Sequence, residues 1–77
     1  MQPDESNLSP GWRLSPRGYY HWTSPEEADS PDVYIERLDE DWEIEYWIEN
    51  TADWIRVRVP SPKPPFELAE ALYYAAQ

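Results

Sequence analysis

Residues 41–60, Asp-Trp-Glu-Ile-Glu-Tyr-Trp-Ile-Glu-Asn-Thr-Ala-Asp-Trp-Ile-Arg-Val-Arg-Val-Pro, decide the fold. Trp42, Ile44, Tyr46 and Ile48 alternate with Glu43, Glu45, Trp47 and Glu49, the period of a strand with one apolar and one polar face. Ile55, Val57 and Val59 then alternate with Trp54, Arg56 and Arg58 in the same way. Asn50-Thr51-Ala52-Asp53 between the runs reads as a four-residue hairpin loop. Pairing Glu49 with Trp54 sets Ile48 against Ile55, Tyr46 against Val57 and Ile44 against Val59 on the inside. The same register places Trp47 opposite Arg56 and Glu45 opposite Arg58 outside.

Upstream, Val33-Tyr34-Ile35-Glu36-Arg37-Leu38 alternates as well, and a tight turn near Asp39-Glu40 puts Ile35 beside Ile44 and Val33 beside Tyr46. That register opposes Glu36 to Glu43, and like charges directly opposite destabilise a sheet. The pairing therefore points to selection for something other than stability. Nearer the start, Trp12-Arg13-Leu14-Ser15 and Tyr19-Tyr20-His21-Trp22-Thr23 flank a Pro16-Arg17-Gly18 turn and read as a second hairpin. Between the hairpins, Ser24-Pro25-Glu26-Glu27 has the residues of a helix start, which Ser30-Pro31 stops after about one turn.

Downstream, Pro60, Pro62, Pro64 and Pro65 end the last strand and form a stiff connector. Phe66, Ala69, Leu72, Tyr73 and Ala76 then share one stripe at helical spacing. The expected fold is α+β: an antiparallel meander of three to five strands with a carboxy-terminal helix packed on one face. Residues 1–10 read as a mobile tail and residues 11–77 as a single domain, since 77 residues support one modest core.

The net charge is −10, and it is concentrated. Residues 26–53 hold twelve acids against Arg37 alone, a local charge of −11, while residues 1–25 sum to zero and residues 54–77 to +1. No cysteine is present, which removes disulfides, thiolate metal sites and a Cys nucleophile. With no signal-like segment and no apolar run long enough to span a bilayer, the expectation is a soluble, cytoplasmic chain that neither enters a membrane nor binds nucleic acid directly, because phosphates would be repelled.

Enzymatic chemistry finds little support. The sole histidine, His21, sits in a Tyr-Tyr-His-Trp run and reads as a strand residue half covered by rings, since acid–base catalysis needs a positioned partner and a reacting group. Asp39, Asp41 and Glu43 have the alternation of a calcium loop, but Ile44 stands where that loop needs its glycine, so a hairpin tip is the reading and no cofactor or metal is expected.

The acids remain. They can serve solubility alone. They can also form a regular array of anions on a rigid strand, where successive residues of one face lie about 7 Å apart, and imitate the phosphates of a nucleic acid. Glu36, Asp39, Glu40, Asp41, Glu43, Glu45, Glu49 and Asp53 are the candidate binding acids, with Trp47 and Trp54 as outward anchors. Those tryptophans have a competing use in packing against the Trp12–Trp22 hairpin of the same chain.

In size, acidity and lack of catalytic groups the chain resembles the general type of phage-encoded inhibitors of host defence, such as anti-CRISPR proteins and other DNA mimics. The likeness is one of character and carries no alignable motif. The expected function is an inhibitory binding protein that occupies a basic, nucleic-acid-binding surface of a protein partner, a CRISPR effector being one candidate. The alternative is an assembly or adaptor subunit, or a homodimer, that pairs through exposed aromatics and a sheet edge.

Overall fold

The alternating stretches form one sheet. A computed structural model describes residues 8–25 and 30–77, and its elements run β1 (Trp12–Leu14), β2 (Tyr20–Trp22), β3 (Val33–Leu38), β4 (Asp41–Ile48), β5 (Asp53–Pro60) and α1 (Phe66–Ala76). The strands lie in sequence order and every neighbouring pair is antiparallel, so the sheet is a five-stranded meander. With the terminal helix this is the α+β architecture read from the sequence, and the amino-terminal hairpin belongs to the main sheet. The one-turn helix expected from Ser24 onward falls on residues 26–29, outside the described residues. Residues 1–7 of the expected tail lie outside them too, whereas Leu8 packs against the core and the Trp12 N–H donates to the Ser9 carbonyl at 3.0 Å.

Tight turns join β1 to β2, β3 to β4 and β4 to β5. Between β1 and β2 the Gly18 N–H reaches the Ser15 carbonyl at 3.0 Å, with Gly18 at φ +98°. Gly11, at φ +87°, brings its backbone against the Trp22 indole, where a Cβ would lie 3.1 Å from Nε1. The β3–β4 turn consists of Asp39 and Glu40, with Asp39 in the left-handed region at φ +55°, a conformation that Asp tolerates better than most residues.

The β3–β4 register is the one read from the pattern: Val33 faces Tyr46, Ile35 faces Ile44 and Glu36 faces Glu43. The β4–β5 register is not, and it differs by two residues. Ile48 pairs with Asp53, Trp47 with Trp54, Tyr46 with Ile55, Glu45 with Arg56, Ile44 with Val57 and Glu43 with Arg58. A slide of two leaves every side chain on its original face, so hydrophobic alternation is blind to it. The turn decides: Ala52 takes a left-handed φ of +56°, which closes the loop over residues 49–52 and releases Asp53 into the strand. The observed register also opposes two Glu–Arg pairs where the expected one opposed a single pair.

The inner face makes the core. Val33, Ile35 and Ile44 are fully buried at its centre, flanked by Trp12, Trp22 and Trp42, and covered by Phe66, Ala69 and Tyr73 of the helix. Leu72 of the expected stripe packs at the margin of this cluster. Rings interlock rather than merely touch: Trp12 lies 4.9 Å from Phe66, Tyr20 meets Phe66 edge-on at 5.1 Å and Trp22 meets Tyr73 at 5.4 Å. Two of the core indoles also bond through nitrogen, Trp12 Nε1 donating to Glu70 at 2.7 Å and Trp42 Nε1 to the Ser61 carbonyl at 3.0 Å. The helix end is tied to β4 by Gln77, whose Nε2 donates to the Trp47 and Tyr73 carbonyls while its Oε1 accepts the Glu49 N–H.

Asp32 is the one buried acid among the described residues, and it works as a clasp between β2 and β4. Its N–H donates to the Trp22 carbonyl, its carbonyl accepts from the Trp47 N–H and its carboxylate accepts the Ser24 N–H at 2.8 Å. No helix among the described residues is long and apolar enough to cross a membrane.

Candidate docking face

The helix covers one side of the sheet, so among the described residues the other side carries no second layer. Strand alternation and register place its side chains in rows. One row crosses all five strands as Arg13, His21, Tyr34, Glu45 and Arg56. The next holds Glu36, Glu43 and Arg58, and a third holds Leu38, Asp41 and Pro60. On the other side of the first row Trp47 stands opposite Trp54.

The outer face is therefore a mixed surface. Asp41, Glu36, Glu43 and Glu45 are set against Arg13, Arg56 and Arg58, which nearly balances the sheet itself. Arg56 Nε lies 2.7 Å from Glu45 Oε2, and this hydrogen bond, with the Glu45 and Glu43 charges, holds the guanidinium above its ordinary pKa. Arg58 Nε reaches Asp41 at 4.0 Å.

The surplus negative charge gathers at the β3–β4 hairpin. Glu36, Asp39, Glu40, Asp41 and Glu43 lie within eight consecutive residues there, Glu36, Asp39 and Glu40 being exposed. Arg37, the cation within that hairpin, is turned to the other face: its guanidinium sits 5.1 Å from the Trp42 ring and its Nε donates to the Asp39 carbonyl. Glu49 opens the β4–β5 turn and Asp53 follows it, at the opposite end of β4. Asp41 and Trp47 are separated by about 20 Å of extended strand, so the eight candidate acids form two groups and not one array. Glu49 is also engaged locally, its carboxylate accepting the Trp47 indole N–H at 2.7 Å.

The outward tryptophans do not pack on the Trp12–Trp22 hairpin. Trp12 and Trp22 point to the inner face under the helix, while Trp47 and Trp54 contact each other at 5.3 Å on the outer face and Trp54 contacts Tyr34 at 5.5 Å. Tyr34 also meets Tyr19 edge-on at 5.7 Å, and His21 closes the group at 6.1 Å from Tyr19 and 6.5 Å from Tyr34. A continuous band of five rings thus crosses the face from His21 to Trp47, and Trp54 within it remains 40 % exposed. Tyr19 and Tyr34 are not among the residues singled out by sequence. Tyr34 shares the outward parity of Glu36, but Tyr19 lies outside any strand and its contact is non-local.

Beside the two tyrosines lies a shallow depression of about 250 Å³ lined by Tyr19, Tyr34, Glu36, Glu43 and Glu45. Burial, then the neighbouring Tyr19 and Glu45, raises the Tyr34 phenol above its usual pKa, so the ring is a neutral wall. Among the described residues no three His, Asp or Glu side chains are placed to hold a metal ion, and Asp39 and Glu40 form the hairpin tip.

His21 is lowered below its ordinary value of 6.5 by burial and by Arg13. A depressed histidine contributes stability that is fully present above pH 6.5 and is lost as pH falls through the lower folded value, because the unfolded chain takes up the proton first. The wild type should accordingly lose more stability than His21→Gln between about pH 8 and about pH 5, read from urea midpoints. Equal losses would show that the ring is as well solvated folded as unfolded.

No protein-family model matches the chain, and no curated protein and no solved structure matches it.

Proposed function

We propose that this chain is a small acidic inhibitory binding protein that docks on a basic, nucleic-acid-binding surface of a protein partner and denies that surface to its ligand. The observation that carries this reading is the β3–β4 hairpin, where five acids project within eight residues and two of them, Glu36 and Glu43, face each other across the strands. Sheet stability gains nothing from that pair. A basic groove is attracted to such a tip at long range, and the aromatic band with exposed Trp54 in it supplies area to desolvate on contact. The partner would be met in the cytoplasm, and an RNA-guided nuclease of the CRISPR type is one candidate.

The alternative, self-assembly through the sheet edge, meets an electrostatic obstacle. β5 is the long edge of the sheet and carries Arg56 and Arg58, so two copies pairing antiparallel with Arg56 opposite Arg56 or Arg58 would oppose like charges.

Affinity capture with the tagged protein at low and high salt tests the proposal. The expected result is a nucleic-acid-binding protein that is retained at low salt, released by high salt and displaced by DNA or RNA. Salt-resistant self-association, or a captured partner indifferent to nucleic acid, would overturn it in favour of an assembly subunit.

A further inference from the structure

The tyrosine-walled depression has a composition that the acidic tip lacks. Its walls are two rings whose centroids lie 5.7 Å apart at 63°, and its rim carries Glu36, Glu43 and Glu45. At about 250 Å³ it is smaller than the roughly 300–1,000 Å³ of sites that enclose a whole small molecule. A single long side chain is the occupant of matching size.

Charge selects which side chain. Glu45 already holds Arg56 at 2.7 Å, whereas Glu36 and Glu43 stand directly opposite each other, with Arg58 facing Glu43 from its far side and no cation facing Glu36 across the strands. A cation entering between them converts a repulsive cross-strand pair into two attractive contacts. The tyrosine faces favour the same charge through their ring quadrupoles. A flat guanidinium fits better than a compact ammonium, because it can lie against one ring and direct two N–H groups at one carboxylate. The protein already lays a guanidinium over a ring at Arg37, 5.1 Å from the Trp42 ring centroid, with its Nε donating to the Asp39 carbonyl.

We propose that the Tyr19–Tyr34 depression receives an arginine side chain of the bound partner, held between the aromatic walls and the Glu36–Glu43 pair. This rests on the docking reading above and assigns its anchor point: the hairpin tip steers, and the depression takes hold of one residue.

The test is a titration of the full ¹⁵N-labelled chain with a blocked hexapeptide of alternating Arg and Gly, beside its Lys counterpart, followed by two-dimensional NMR. Shifts should centre on the amides of Tyr19, Tyr34, Glu36 and Glu43, with the Arg peptide binding several-fold tighter, about threefold or more. Glu36→Gln should weaken the Arg peptide about tenfold, and Tyr19→Ala should weaken it while leaving the spectrum otherwise folded. Shifts confined to the Asp39–Glu40 turn, equal affinity for the two peptides, or no effect of Glu36→Gln would overturn the assignment. Failure here is separable from failure of the docking reading. Salt-sensitive capture of a nucleic-acid-binding partner by a Glu36→Gln, Tyr19→Ala chain at undiminished affinity leaves docking intact and removes the anchor. A peptide seated in the depression with no such partner captured does the reverse.

Discussion

Ile44→Ala should cost about 2–5 kcal/mol of folding stability, the range for truncating a fully buried isoleucine. Ile44 is 0 % exposed, lies on β4 between Ile35 and Val57, and belongs to the layer that the helix covers. No loop borders the site, so the surroundings have little freedom to collapse into the space. A domain of this length has a total stability of roughly 4–12 kcal/mol, so the loss consumes a large share and brings a marginal protein to its midpoint near body temperature. Ile44→Val, which removes one methyl group, should cost about 0.5–1.5 kcal/mol. Urea unfolding of both variants checks the order. A loss below about 1 kcal/mol for Ile44→Ala would mean that β4 does not occupy the centre of the core.

That same strand shows why much of the fold was legible. Alternation at 42–48 fixed which face of β4 is buried, and the two-residue Asp39-Glu40 turn left only one register for β3. The helix stripe from Phe66 to Tyr73 followed from spacing alone. The β4–β5 register did not, because period-two patterns are unchanged by a slide of two, and the information resided in a left-handed Ala52 that residue preferences disfavour. Asp32 and Gln77 were illegible for another reason. Each is a polar residue whose role is a set of hydrogen bonds to backbone atoms distant in sequence, and nothing in a linear pattern announces them.

The candidate site was legible in its parity and less so in its grouping. That Glu36, Glu43, Glu45, Trp47 and Trp54 share a face follows from alternation. That Glu43 and Glu45 each stand opposite an arginine follows only from the true register, and it moves the uncompensated charge off the sheet and onto the hairpin tip. Length separates Glu49 and Asp53 from that tip, since β4 is eight residues long. The aromatic band required tertiary contact: Tyr34 reaches Trp54 diagonally across β4, and Tyr19 comes in from a turn.

The combined variant Glu36→Lys, Asp39→Asn, Glu40→Lys should lose partner binding by about 100-fold or more at low salt, since steering by a charged tip changes association over that range. The three changes halve the net charge from −10 to −5. All three residues are exposed and none holds a described ion pair, which leaves the Arg56–Glu45 contact in place. Asp39 is replaced by Asn and not by Lys because its φ of +55° suits Asn. Stability should move the opposite way to binding: the Glu36→Lys change sets a cation across the strands from Glu43, replacing a repulsive pair by an attractive one and adding about 0.2–1 kcal/mol. A matched control, Glu67→Lys with Ala71→Lys and Ala75→Lys, places exposed charge changes on the helix, away from the hairpin, and brings the net charge to −6. If the tip is the docking element, the control retains most of its affinity and the tip variant does not, and the difference shrinks as salt rises. Equal losses in both would mean that only the overall charge matters, and a folded tip variant with undiminished affinity would remove the hairpin from the interface. A gain in stability coupled to a loss of binding would be the signature of acids retained for a partner at the expense of the sheet that carries them.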